Sequence, residues 1–126
     1  MDPLTLARVQ AAGRLALGGA LLLAPRRVGA VWLGRDGTRT AAAVMGPALG
    51  VRDVALGVGT LRALRTPAGA RPWILAGLAA DAVDCAATVA HRRALPAFGT
   101  LSVGLMAGGS VALAAWVQAR VGAQVP

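Results

Sequence analysis

Asp53, Asp81 and Asp84, together with Arg52 and Arg14, are the residues whose types could do chemistry, because each lies near the middle of a long apolar stretch. An isolated charge at the centre of a membrane helix costs about 2.5 to 3.5 kcal/mol on insertion scales, so five left unpaired would cost on the order of 12 to 18 kcal/mol. They are therefore expected to face inward and to meet one another. Two arginines against three aspartates leave one negative charge in excess, and one proton should stay on the cluster. Asp81 and Asp84, neighbours on one helical face, are the pair expected to share it, since adjacent buried carboxylates resist ionising together. A carboxylic acid held beside an arginine-bound carboxylate is what general acid/base work requires.

Helical spacing supplies the means to bring these groups together. Gly77, Asp81, Asp84 and Thr88 advance as i, i+4, i+7 and i+11, which makes one polar stripe on a helix. Gly46, Gly50, Asp53 and Gly57 make a comparable stripe on the helix before it. Arg52 is turned about 100° away from Asp53 and is placed to reach a neighbouring helix. Its loss is expected to destabilise the fold by leaving a carboxylate buried without a partner. Gln10 and Arg14 share a face of the first helix. The last helix offers only uncharged polar groups, Thr100, Ser102, Ser110 and Gln118, and is expected to close the bundle.

Composition identifies the solvent. The chain has 126 residues, 56% of them hydrophobic and only 14% charged, and its mean hydropathy is +0.63. The charges cluster between apolar runs instead of alternating with them, which is the pattern of membrane helices. Four stretches, residues 4–24, 40–61, 73–90 and 95–117, are each close to the roughly 20 residues that cross about 30 Å of hydrocarbon. The sequence predicts an all-α, polytopic membrane protein, a single four-helix transmembrane bundle over residues 1–126. Arg14 interrupts the first stretch, so it reads as a mature helix and not as a signal peptide.

Prolines and arginines punctuate these stretches. Pro25-Arg26-Arg27 is expected to end the first helix, Pro67 and Pro72 to bracket the turn between the second and third, and Pro96 to open the fourth. Residues 28–34, between the first two stretches, are too few to span and are expected to lie along the interface. Trp32, Trp73 and Trp116 fall near segment ends, as an aromatic belt requires, with Trp32 on the opposite side from the other two. Arg26, Arg27, Arg35, Arg39, Arg92 and Arg93 belong to one end, and Arg8, Arg62, Arg65, Arg71 and Arg120 to the other. That balance leaves orientation open and keeps an antiparallel homodimer among the alternatives. Gly46-x-x-x-Gly50 and Gly104-x-x-x-Gly108 are small-residue motifs that predict close helix packing.

The net charge of +8 is carried by arginines at helix ends, where lipid headgroups meet it; with no aromatic stacking platform beside it, nucleic-acid binding is not expected. One cysteine, Cys85, excludes a disulfide framework within the chain, and His91 next to Arg92-Arg93 reads as an interfacial residue. No metal or cofactor is called for. The segments Arg14 to Gly18, Trp32-Leu33-Gly34, Gly50-Val-Arg52-Asp53-Val-Ala-Leu-Gly57 and Asp81-Ala-Val-Asp84 together resemble an uncharacterised family of small four-helix membrane proteins of actinobacteria. The most specific element is Gly-x-Arg-Asp-x-x-x-Gly. The resemblance spans most of the chain and implies the fold and a bacterial inner membrane, but no reaction. Small multidrug exporters carry a glutamate in their first helix, where this chain has Arg14, and fluoride channels line their pore with phenylalanines, where it has Phe98 alone. Three functions fit the charged cluster: an acid/base enzyme acting on a lipophilic small molecule by epoxide opening, cyclisation or isomerisation; a proton-coupled transporter; or an accessory membrane subunit.

Overall fold

The computed structural model describes residues 3–122. Its helices are α1 (Pro3–Leu23), α2 (Pro25–Leu33), α3 (Thr40–Ala63), α4 (Pro67–Ala90) and α5 (Ala97–Gly122), with 3-10 turns at Gly34–Thr38 and Arg92–Ala94. Four of the five, all but α2, are long and apolar enough to cross a membrane. At most 28% of the most apolar window of each is buried inside the bundle. Much of the remainder is apolar and exposed, as at Leu23, Leu105, Val44 and Val83, where a water-soluble bundle would be polar. The chain is an all-α multi-pass membrane bundle.

Several boundaries differ from those the sequence predicts, for local reasons. α1 ends at Leu23, just before Pro25, as expected. Pro25 also opens α2, in whose first turn its missing N–H is no loss and its fixed φ suits the helix. Gly34 then stops α2 with φ 64°, and its N–H donates to Ala30 O. Pro72, by contrast, does not bracket a turn. Thr66 caps α4, its side chain accepting from the Gly69 N–H at 3.0 Å, Pro67 follows at the first position, and Pro72 lies inside the helix. Pro47 lies inside α3 in the same way. Transmembrane helices accommodate such prolines because neighbouring groups satisfy the freed carbonyls.

Consecutive long helices run antiparallel, with α1 against α3 and α4 against α5; α3 on α4 and α1 on α5 complete the bundle. The α1–α3 contact is made by backbones. A Cβ on Gly50 would stand 2.7 Å from Gly18 O, and one on Gly57 would stand 2.8 Å from Ala11 O. Gly46-x-x-x-Gly50 thus packs inside the chain, as expected. Gly104-x-x-x-Gly108 does not: both glycines are exposed, and a methyl added at either would have nothing within 4 Å, because α5 turns Val103 and Ser110 inward instead. Trp73 and Trp116 lie at the end where α4 begins and α5 finishes, and Trp32 lies at the other with α2. At that second end His91 closes α4, its Nδ1 donating to Ala87 O at 2.9 Å, which gives the histidine a capping role. The Arg120 side chain lies outside the described residues.

Replacing Gly50 by leucine is expected to force α1 and α3 apart and to lower stability by about 1 to 3 kcal/mol. Gly104→Leu, on the outer face, should stay within about 0.5 kcal/mol of the wild type. Thermal unfolding of both variants in detergent micelles checks the difference; equal losses would contradict the inward and outward assignments.

Candidate functional site

Arg14 stands at the centre of the charged cluster. The one-turn spacing from Gln10 to Arg14 on α1 aims both inward, and Gly18 below them holds α1 against α3, so the guanidinium has only a short distance to cover. Arg14 Nη1 donates to Asp53 Oδ1 on α3 at 2.8 Å, and Nη2 donates to Asp81 Oδ2 on α4 at 2.6 Å. Nη2 also donates to the Gly77 carbonyl at 3.1 Å. Gly77 leaves the room for this, since a Cβ there would come within 3.1 Å of Nη2. The three side chains are 4, 2 and 3% exposed. One guanidinium thus joins three helices through charge-assisted hydrogen bonds, the strongest kind.

Arg52 makes the second centre. It reaches sideways from α3, as its angular offset predicts, and its Nη1 and Nη2 donate to Asp84 Oδ1 and Oδ2 at 3.1 and 2.6 Å. Nη2 also lies 3.6 Å from Asp53 Oδ1. This pair is less enclosed, with Arg52 31% and Asp84 19% exposed. All five ionisable residues singled out in the sequence therefore join one network, linked at Asp53. The expected pairing within it is corrected, however. Asp81 and Asp84 share a helical face but not a partner, because the i to i+3 step turns them toward different helices: Asp81 meets α1 and α5, while Asp84 meets α3.

The fourth long helix contributes more than closure. Ser110 donates to Asp81 Oδ2, and Gln10 Nε2 donates to Ser110 Oγ. Ser110 is 2% exposed. A positional signal for it exists in the sequence. Helices α4 and α5 form an antiparallel hairpin, and Asp81 and Ser110 stand equally far from its turn at Leu95 and Pro96, hence at the same depth.

A cavity of about 210 Å³ lies against the network. Asp53, Asp81, Asp84 and Arg52 form part of its wall, and the remainder is largely apolar, including Leu17 and Leu21 of α1, Val31 and Trp32 of α2, and Phe98 and Met106 of α5. Trp32, expected only as an interfacial anchor, is thus also cavity lining. Gly99 allows this, because a Cβ there would collide with the Trp32 carbonyl. Val31 and Phe98 line the cavity and are themselves exposed, at 55 and 67%, so the cavity approaches the outer surface between α2 and α5. Among the described residues no group of three His, Cys, Asp or Glu side chains is placed to hold a metal ion. Cys85 is half-buried on α4 and is not part of the cavity wall. No protein-family model, curated protein or solved structure matches the chain.

The geometry makes Arg14, more than Arg52, the arginine whose loss the fold cannot absorb. Arg14→Ala would leave the buried carboxyl groups of Asp53 and Asp81 without the donor that joins them and is expected to lower stability by about 3 to 5 kcal/mol. Arg52→Ala should cost clearly less, since it leaves only the less enclosed Asp84 without its partner while Arg14 still holds Asp53. Unfolding of the two variants by denaturing detergent measures this; a larger loss for Arg52→Ala would contradict the central position of Arg14.

Proposed function

We propose that the protein is an acid/base enzyme of the bacterial inner membrane that acts on a lipophilic small molecule by epoxide opening, cyclisation or isomerisation. The observation that carries the proposal is the composition of the cavity wall: three carboxylates and a guanidinium at one side of an otherwise apolar space. The inner-membrane setting rests on the four spans and on the resemblance of the Gly50 to Gly57 segment to actinobacterial membrane proteins.

The distribution of partners suggests a role for each residue. Asp84 is chelated through both oxygens by Arg52, and Asp81 Oδ2 accepts from both Arg14 and Ser110. Both are suited to remain carboxylates. Asp53 shares each of its arginines with another aspartate, so the excess proton of the network is assigned to Asp53 as the acid. In this reading the Asp53 O–H bond breaks and its proton passes to an epoxide oxygen. The adjacent C–O bond then cleaves with its electron pair moving to that oxygen, and positive charge develops on carbon. In isomerisation a neighbouring C–H then gives its proton to Asp84 or Asp81 and its electron pair forms the alkene; in cyclisation the π pair of a C=C bond in the same molecule first forms the ring C–C bond, which moves the positive charge to the other alkene carbon, and the same proton loss follows there. Opening to a diol ends with addition of water, whose surplus proton goes to the same carboxylate. Proton return to Asp53 completes the cycle. Arg52 and Arg14 keep the bases ionised and in position.

Proton-coupled transport is the second reading. The hydrogen-bonded line from Asp81 through Ser110 to Gln10 favours it, because that line leads from the cavity toward the end where α1 begins. An accessory subunit would need the network only to hold the helices in register.

Turnover separates these readings. Purified protein in lipid nanodiscs, given a panel of lipophilic epoxides small enough for the cavity, is expected to convert at least one, as followed by gas chromatography. Asp53→Asn should slow that conversion about 100-fold or more, the ordinary worth of a general acid, with unfolding temperature preserved. A wild-type protein that leaves the whole panel unchanged, or an Asp53→Asn variant as fast as the wild type, contradicts the enzymatic reading.

A further inference from the structure

The charges on the cavity wall are unequal. Asp53, Asp81 and Asp84 line it with Arg52, whereas Arg14 does not; its guanidinium stands behind the wall, between Asp53 and Asp81. The other elements bring no charge to the lining: α1 contributes Leu17 and Leu21, α2 contributes Val28, Val31 and Trp32, and α5 contributes Phe98, Ser102, Val103 and Met106. An occupant that takes the place of the network's proton therefore meets three carboxylates against one guanidinium, in apolar surroundings that screen charge poorly. Trp32 and Phe98 are among the lining residues, and aromatic rings attract cations through their quadrupoles.

The geometry points to a lipophilic monocation, a small alkyl or arylalkyl ammonium, as the species this cavity recognises. The inference rests on the acid/base reading and deepens it by naming the charge of the recognised species. The full network counts three carboxylates and two guanidiniums, so its excess is one negative charge, and one proton or one organic cation balances it. When Asp53 gives up its proton to a substrate, the positive charge moves from the acid to the substrate carbon while the total stays the same. A stable ammonium in the cavity reproduces that charge distribution, and species resembling a transition state bind more tightly than the ground state. Its entry displaces the proton, which leaves to solvent. Size agrees, because the cavity of about 210 Å³ exceeds the ~150 Å³ that accommodates benzene in an apolar protein interior.

A pair of probes of matched shape tests this: benzyltrimethylammonium and its carbon isostere neopentylbenzene. Binding of each to purified protein in nanodiscs of neutral phospholipid is measured against empty nanodiscs, by calorimetry in two buffers of different ionisation enthalpy. The ammonium is expected to bind at least about tenfold more tightly than the isostere, to release close to one proton per molecule bound at neutral pH, and to weaken as pH falls and protons compete. Asp53→Asn should abolish the proton release and weaken the ammonium at least about tenfold. Trp32→Leu should weaken the ammonium more than the isostere, which provides the same check if Asp53→Asn fails to fold. Asp36→Asn, on the exposed turn after α2, should change neither ligand.

Equal binding of both probes without proton release would overturn the cation preference and leave the acid/base reading standing, since an apolar cavity for neutral substrates would remain. Binding of neither probe would remove the cavity as a ligand site and overturn both.

Discussion

The bidentate grip of Arg14 on Asp53 and Asp81 is the interaction on which the remainder of the structure depends. Bringing a guanidinium and two carboxylates into hydrocarbon is tolerable only if each finds its partner there. That requirement fixes the rotation of α1, α3 and α4 about their axes and their relative heights. The glycines follow from it. Gly18 and Gly50 let α1 approach α3 closely enough for Arg14 to reach across, and Gly77 leaves space for the guanidinium where α4 passes. Arg52 and Asp84 extend the network toward the cavity.

This arrangement concentrates charge on one side of a space whose other walls are apolar. The two arginines do different work there. Arg14, almost fully buried, is chiefly a tie between helices, whereas Arg52 is partly open and lies on the cavity wall beside the carboxylates. A network serving only to pin helices could be closed on all sides. Here Asp53, Asp81 and Asp84 all border the cavity, which approaches the surface between α2 and α5 at Val31 and Phe98. The short helix α2 completes the enclosure: its start is set by Pro25, its end by Gly34, and Trp32 is held against α5 by the absence of a side chain at Gly99.

Much of this was legible in the sequence, because burial of charge in a membrane constrains helices strongly. The four spans, the inward faces of Gly46 to Gly57 and of Gly77 to Thr88, and the convergence of all five ionisable residues follow from residue type and a period of 3.6. Partner choice was not legible. Periodicity says which residues share a face, but the i to i+3 step between Asp81 and Asp84 is wide enough for two different helices to claim one carboxylate each. The outward turn of Gly104 and Gly108 was hidden for a related reason: α5 carries small or apolar residues all round, so its pattern does not choose a side. Pro72 misled because a proline in the second turn of a helix and a proline ending a loop read alike until Thr66 is recognised as the cap.

The network of Arg14, Arg52, Asp53, Asp81 and Asp84, with three carboxyl groups against two guanidiniums, is expected to retain one proton in the membrane at neutral pH. Infrared spectroscopy of the protein in lipid bilayers measures this directly, through the C=O stretch that a carboxylic acid shows and a carboxylate does not. One such band is expected at neutral pH, absent from Asp53→Asn and retained in Asp36→Asn. A spectrum with no carboxylic acid band in the wild-type protein would contradict the account, leaving three ionised carboxylates and a network that only holds helices together.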